Sequence, residues 1–144
     1  MSRSVTITFD AADPPALAEF WAKAMGYELQ PPPPGFETWD DFADANNIPP
    51  ERRNDLAAVV DPDGNGPRLL FLKVPEGKTA KNRVHLDIHN GLDRSASRDD
   101  HLASIRAIVD ELVAAGATEH DSFEELGARW TVMSDPEGNE FCVV

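Results

Sequence analysis

The stretch "VVDPDGNGPRLLFL", residues 59–72, is echoed by "VMSDPEGNEFCVV", residues 132–144. Each copy places an apolar run, a turn of the form Asp-Pro-acid-Gly-Asn and a second apolar run in series. Proline just inside such a turn and glycine near its end suit a tight reversal between strands. Similarity of this kind within one chain predicts a duplicated supersecondary unit, and the segments upstream of the two copies should then match as well.

They do. Upstream of the first copy, "SVTITFD" (residues 4–10) alternates, with Val5, Ile7 and Phe9 on one face and Thr6, Thr8 and Asp10 on the other, the pattern of a half-buried strand. "DPPALAEFWAKAMG" (13–26) follows, with Asp13 as a helix cap, Pro14 at the first turn, Leu17, Phe20, Trp21, Ala24 and Met25 at helical spacing and Gly26 as a stop. "YELQ" reads as a second strand. Upstream of the second copy, "KNRVHLDIHN" (81–90) alternates Val84, Leu86 and Ile88 with His85, Asp87 and His89. Residues 99–116 read as a helix with Leu102, Ile105, Val109, Leu112 and Val113 as the buried stripe and Gly116 as its end. "ATEHDSFEELG" reads as a short strand and turn, and "RWTVMS" and "EFCVV" as strands. Each half is β-α-β-β-β. The reading is an α+β protein of two βαβββ modules, about 1–75 and 80–144, whose eight strands form a curved sheet around a central cleft within one domain, 1–144. Concave spaces of this kind are where ligand sites tend to form.

Residues 31–55 do not fit the repeat. "PPPPGF" cannot feed a central strand and reads as a stiff connector, and "TWDDFADANNIPP" as a short helix capped by Thr38. Phe36, Trp39 and Phe42 serve either to roof a pocket or, the preferred reading, to anchor this insertion to the body.

Composition limits the function classes. Thirteen Lys and Arg stand against 26 Asp and Glu, for a net charge of −13, with no basic stripe; nucleic acid and anionic membrane surfaces are not expected partners. The chain's length, 144 residues, lets folding bury roughly 68–70% of the unfolded surface, enough for a core without staples. One cysteine, Cys142, excludes an internal disulfide, and neither a secretory signal nor an apolar run of about 20 residues is visible, so the expected location is cytoplasmic.

The doubled βαβββ pattern with "NRVHLDI", "LVAAGA" and "DPEGNEFCVV" resembles the vicinal oxygen chelate superfamily, which includes glyoxalase I, extradiol dioxygenases, fosfomycin-resistance enzymes and bleomycin-binding proteins. "DPPALAEFWAKAMGYE" and "FLKVPEGKTAKNRVHLDI" resemble more narrowly its bacterial glyoxalase-like subgroup. The resemblance implies four metal-ligand positions on the opening and closing strands of the modules. His85 occupies one; Thr6 stands at a second and Leu70 or its neighbours at a third; Cys142 stands where the last would be Glu, with Glu140 two residues earlier on the same face. Candidate metal ligands are therefore His85, Glu140 and Cys142, with Asp87, His89 or a partner chain to complete three. A divalent metal is open but not favoured on that count. Glu140 is the candidate general base. Thr6, Thr8, Trp39, His85, Asp87, Trp130 and Cys142 are the candidate ligand-binding residues. The bland alternatives are a His85 that only hydrogen-bonds locally, an Asp87 paired with Arg83, a Cys142 that is simply core, and a solvent-facing His89; His101 and His120 carry no role.

Two functions compete. One is a lyase, isomerase or dioxygenase-like enzyme acting on a small metabolite, with glyoxalase I activity proper not expected because the enediolate would lack its stabilising ion. The other is a non-catalytic binder of the bleomycin-resistance type, whose aromatic and acidic walls would suit a cationic ligand. The resemblance also implies a homodimer.

Overall fold

A computed structural model describes residues 2–144, which fall into two compact units, one ending at Gly77 and the other spanning Lys78–Val144. The eight strands divide into two four-stranded sheets, one in each unit.

In the first unit, β1 (Thr6–Ala11) leads into α1 (Pro14–Met25), β2 (Glu28–Leu29), α2 (Trp39–Ala45), a 3-10 turn (Pro50–Arg52), β3 (Leu56–Val60) and β4 (Arg68–Lys73). The sheet order is β1-β4-β3-β2, with β1 parallel to β4 and the other pairs antiparallel. The caps of α1 are those the sequence specifies: the Asp13 carboxylate accepts from the Ala16 N–H, and Gly26 ends the helix in the left-handed region at φ 65°. Leu17, Ala18, Phe20 and Trp21 are buried, and Trp21, Phe9 and Phe71 form a chain of rings with centroids 5.1 and 5.3 Å apart. Full burial of side chains of this size contributes about 1.5–3 kcal/mol each, so this cluster holds α1 to the sheet. Thr6, Thr8 and Asp10 stay exposed on the alternate positions.

The second unit contains β5 (Asp87–Ile88), α3 (Arg98–Ala114), β6 (Thr118–Glu125), β7 (Ala128–Ser134) and β8 (Glu140–Val143). Its order, β5-β8-β7-β6, repeats the first: opening and closing strands pair in parallel, and the rest are antiparallel. Ile105, Val109 and Leu112 of α3 bury against the sheet with Met133, Phe141 and Val143. The repeated turns share two hydrogen bonds, from the N–H groups two and four residues after the aspartate, and differ in the third. Asp61 accepts from the Asp63, Asn65 and Gly66 N–H groups, and Asp135 from the Glu137 and Asn139 N–H groups and the Asn139 amide.

Three expectations need correction. The opening strand of the second module is only two residues long, and Val84 is 76% exposed rather than in the core. The segment before Leu86 is tied down by Asn82, whose backbone N–H donates to the Glu140 carboxylate at 2.8 Å, so apolar burial is not what holds it. Val113 is 43% exposed, because the buried stripe of α3 closes at Leu112. "ATEHDSFEELG" is not a short strand but the longest one, β6, an acidic edge strand paired on one side only. Its polar sequence carries no alternation because little of it is buried, and such charged edges discourage pairing with other chains.

In the segment 31–55, Thr38 caps α2 in a capping box with Asp41, and the Trp39 indole N–H donates to the Gln30 carbonyl at 2.8 Å. Phe42 packs edge-on against both Phe36 and Trp39, and Arg53 ties the end of the segment to Asp40 and Asp44. The aromatic trio packs largely against itself. No helix is long and apolar enough to cross a membrane among the described residues.

Candidate functional site

His85 lies two residues before Asp87, the first residue of β5, and the parallel pairing of β5 with β8 sets Asp87 directly opposite Cys142. The His85 Nδ1–H donates to Asp87 Oδ1 at 2.9 Å. Each of His85, Asp87 and Cys142 offers one donor atom, and these atoms lie within 4.8 Å of one another. An imidazole nitrogen, a carboxylate oxygen and a sulfur form a set that suits zinc or a related first-row ion, and three protein donors leave a coordination position for a ligand. Burial first, and the Asp87 carboxylate second, push the Cys142 thiol above its usual pKa, so at neutral pH it is a neutral S–H rather than a nucleophile.

Glu140, the expected third ligand and general base, stands outside this group. Its carboxylate is occupied by the Asn82 N–H and, at 3.3 Å, by the Lys81 ammonium. These contacts, the Asn82 bond foremost, hold it below the usual carboxylate range, which makes it a weaker base. Asp87 pairs with His85 and not with Arg83. His89 is exposed; His101 meets the Asn90 amide at 3.0 Å, and His120 the Ser134 hydroxyl at 2.7 Å.

The donor group lines a cavity of about 580 Å³ within the second unit, whose walls also include Lys81, Arg129, Trp130 and Glu140. Trp130 stacks on Phe123 with centroids 5.4 Å apart, which fixes the indole plane. Arg129 lies 3.3 Å from Glu124, which also takes a two-pronged contact from Arg98. Thr6 and Thr8 belong to the first unit, on β1, and Trp39 lines a separate cavity of that unit. Sequence reasoning missed Lys81, Asn82 and Arg129. Asn82 meets Glu140 across 58 positions of sequence, and no local pattern marks such a contact.

A family model described as a glyoxalase-like domain matches residues 6–144. The chain belongs to that family. Solved structures similar to it include the fosfomycin resistance protein FosX of Mesorhizobium loti, at 9% identity and TM-score 0.63, covering 99% of this chain and 90% of that one. A possible glyoxalase from Bacillus cereus is 17% identical with TM-score 0.60, covering 100% and 99%. The bleomycin-binding protein of Streptomyces verticillus, solved with copper(II)-bleomycin, is 18% identical with TM-score 0.53, covering 100% and 96%. At such identities the likeness is one of fold. No functionally curated protein matches the chain.

Proposed function

We propose that this glyoxalase-like protein binds a small organic metabolite in the cavity of the second unit and holds a divalent first-row metal ion on His85, Asp87 and Cys142. The observation that carries the reading is the convergence of three donor atoms of different chemistry, within 4.8 Å, on the wall of a cavity of about 580 Å³. When bound, such an ion serves as a Lewis acid toward a ligand oxygen. The protein's own groups do the rest. Asp87 orients the His85 ring, and the fixed Trp130 plane supports a planar part of the ligand. Lys81 and Glu140, paired at the wall, offer one charge of each sign to its polar groups. Glu140 is a poor general base, because its carboxylate is already held by Asn82 and Lys81.

The second reading is a binder that sequesters its ligand unchanged. The neutral Cys142 thiol and the weakly basic Glu140 favour it, since neither is poised for chemistry. Both readings include a homodimer, which sedimentation at micromolar concentration tests directly.

Zinc titration against a competing chelator, on protein purified without a histidine tag, separates them. The metal reading expects about one equivalent bound, and His85→Ala should weaken binding by more than the roughly 10–100-fold that loss of even an outer partner costs. Failure of the native protein to bind zinc, or an unchanged affinity in the variant, overturns the metal and leaves the binder.

A further inference from the structure

The first unit has a cavity of its own, and its chemistry differs from that of the second. It measures about 490 Å³ and lies between the 31–55 segment and the β2–β3 side of the sheet. Leu29, Trp39, Phe42, Ile48, Leu56 and Ala58 supply an apolar lining. Leu29, Trp39 and Leu56 are each roughly half exposed, so three of the chain's large exposed apolar side chains converge on one concave space. Exposed apolar surface gathered in this way marks a binding site more often than scattered single residues do.

One arginine at this cavity lacks a counter-ion. Arg68, half-buried at the start of β4, donates from Nε to Gln30 Oε1 at 2.6 Å and makes no ion pair among the described residues. The other two arginines of the lining are neutralised: Arg53 by Asp40 and Asp44, and Arg52 by Asp55. Four carboxylates, Glu19, Asp40, Asp44 and Asp55, stand at or beside the three arginines of the lining, yet none of them pairs with Arg68. An acidic protein thus turns a guanidinium without an acid toward an apolar space. Gln30 positions both ends of the arrangement, since its carbonyl accepts from the Trp39 indole while its side chain holds Arg68. A partly desolvated guanidinium gains most from a carboxylate, which accepts two parallel N–H bonds.

We propose that this cavity is a second ligand site, which takes a monocarboxylate with an apolar aliphatic or aromatic body, the carboxylate on Arg68 and the body against Trp39, Leu56 and Leu29. It is independent of the metal reading above and rests on different residues.

The probe is decanoate below its micelle concentration, followed by Trp39 fluorescence and by calorimetry on the full chain. The expected result is saturable binding, at least tenfold tighter than that of decanol or decyltrimethylammonium. Arg68→Met should weaken it tenfold or more, and His85→Ala should leave it unchanged. Because Arg68→Met also removes the bond to Gln30, Leu56→Glu gives a second reading: Leu56 is half exposed, so the variant should keep the native circular dichroism spectrum while the new carboxylate expels decanoate. Equal affinity for decanol and decanoate overturns the proposal, as does binding unchanged by Arg68→Met. A drop in sedimentation mass on Leu56→Glu, in a protein that never binds decanoate, would assign the surface to a second copy of the chain instead.

Discussion

Asp61 and Asp135 occupy the same place in the two copies of the repeated turn, and each accepts from the N–H groups two and four residues on. They differ in burial: Asp135 is 3% exposed, whereas Asp61 is half-buried and two of its donors, Asp63 and Asn65, belong to exposed residues. Replacing each by alanine therefore compares the buried turn with the more exposed one. A hydrogen bond to a charged acceptor contributes about 1.5–3 kcal/mol, and a buried donor left without a partner loses the full desolvation term. Asp135→Ala strands three donors, of which the Glu137 and Asn139 N–H groups are only partly within reach of water. With partial rehydration the expected cost is about 3–4 kcal/mol. Around Asp61 water replaces the carboxylate more completely, and Asp61→Ala should cost less than half as much. Urea unfolding, with midpoints and slopes compared at fixed protein concentration, measures both. The Asp135 turn also sets where β8 begins, so Asp135→Ala should reduce zinc affinity at Cys142 while Asp61→Ala does not. Equal destabilisation by the two variants, or a larger effect at Asp61, would refute the claim that the buried turn is worth more than the exposed one.

Two further expectations concern the second unit. Leu126 and Gly127 form the two-residue loop between β6 and β7 with φ of 49° and 81°, and Leu126 is 99% exposed, so a bulky side chain sits in the left-handed region with nothing to pack against. Leu126→Asn supplies the Asn-Gly pair such hairpins prefer and should stabilise the protein by about 0.5–1 kcal/mol in thermal or urea unfolding, with no change at the cavity. The raised pKa of the Cys142 thiol gives zinc binding a sign with pH: the thiol must lose its proton to become a ligand, so affinity should rise about tenfold per pH unit between neutrality and the thiol's pKa. Without metal the same shift works in the opposite direction, since a raised folded pKa contributes stability below the unfolded value that is lost as pH rises through the folded one. Calorimetry in buffers of different ionisation heat should count about one proton released per zinc, and Cys142→Ala should abolish that release.

The topology was legible because it is written twice. Strand alternation, the Asp13 and Gly26 caps and the paired Asp-Pro turns are local signals, and the structure repeats them as one sheet order in both units. The site was only half legible, for a physical reason that its residues illustrate. The adjacency of His85 and Asp87, two positions apart, can be read directly. The choice of Asp87 over Glu140 as the companion of Cys142 cannot, because Glu140 and Cys142 share a face of β8 and both look available. What separates them is a parallel register that sets Asp87 opposite Cys142, together with a backbone N–H at Asn82 that claims the Glu140 carboxylate. Both are contacts between segments more than fifty residues apart, and a resemblance supplies only the slot, not its occupant. Arg68 makes the same point from the other unit. In the sequence it is one cation among thirteen, and only the placement of every nearby acid shows that it alone at its cavity was left without one.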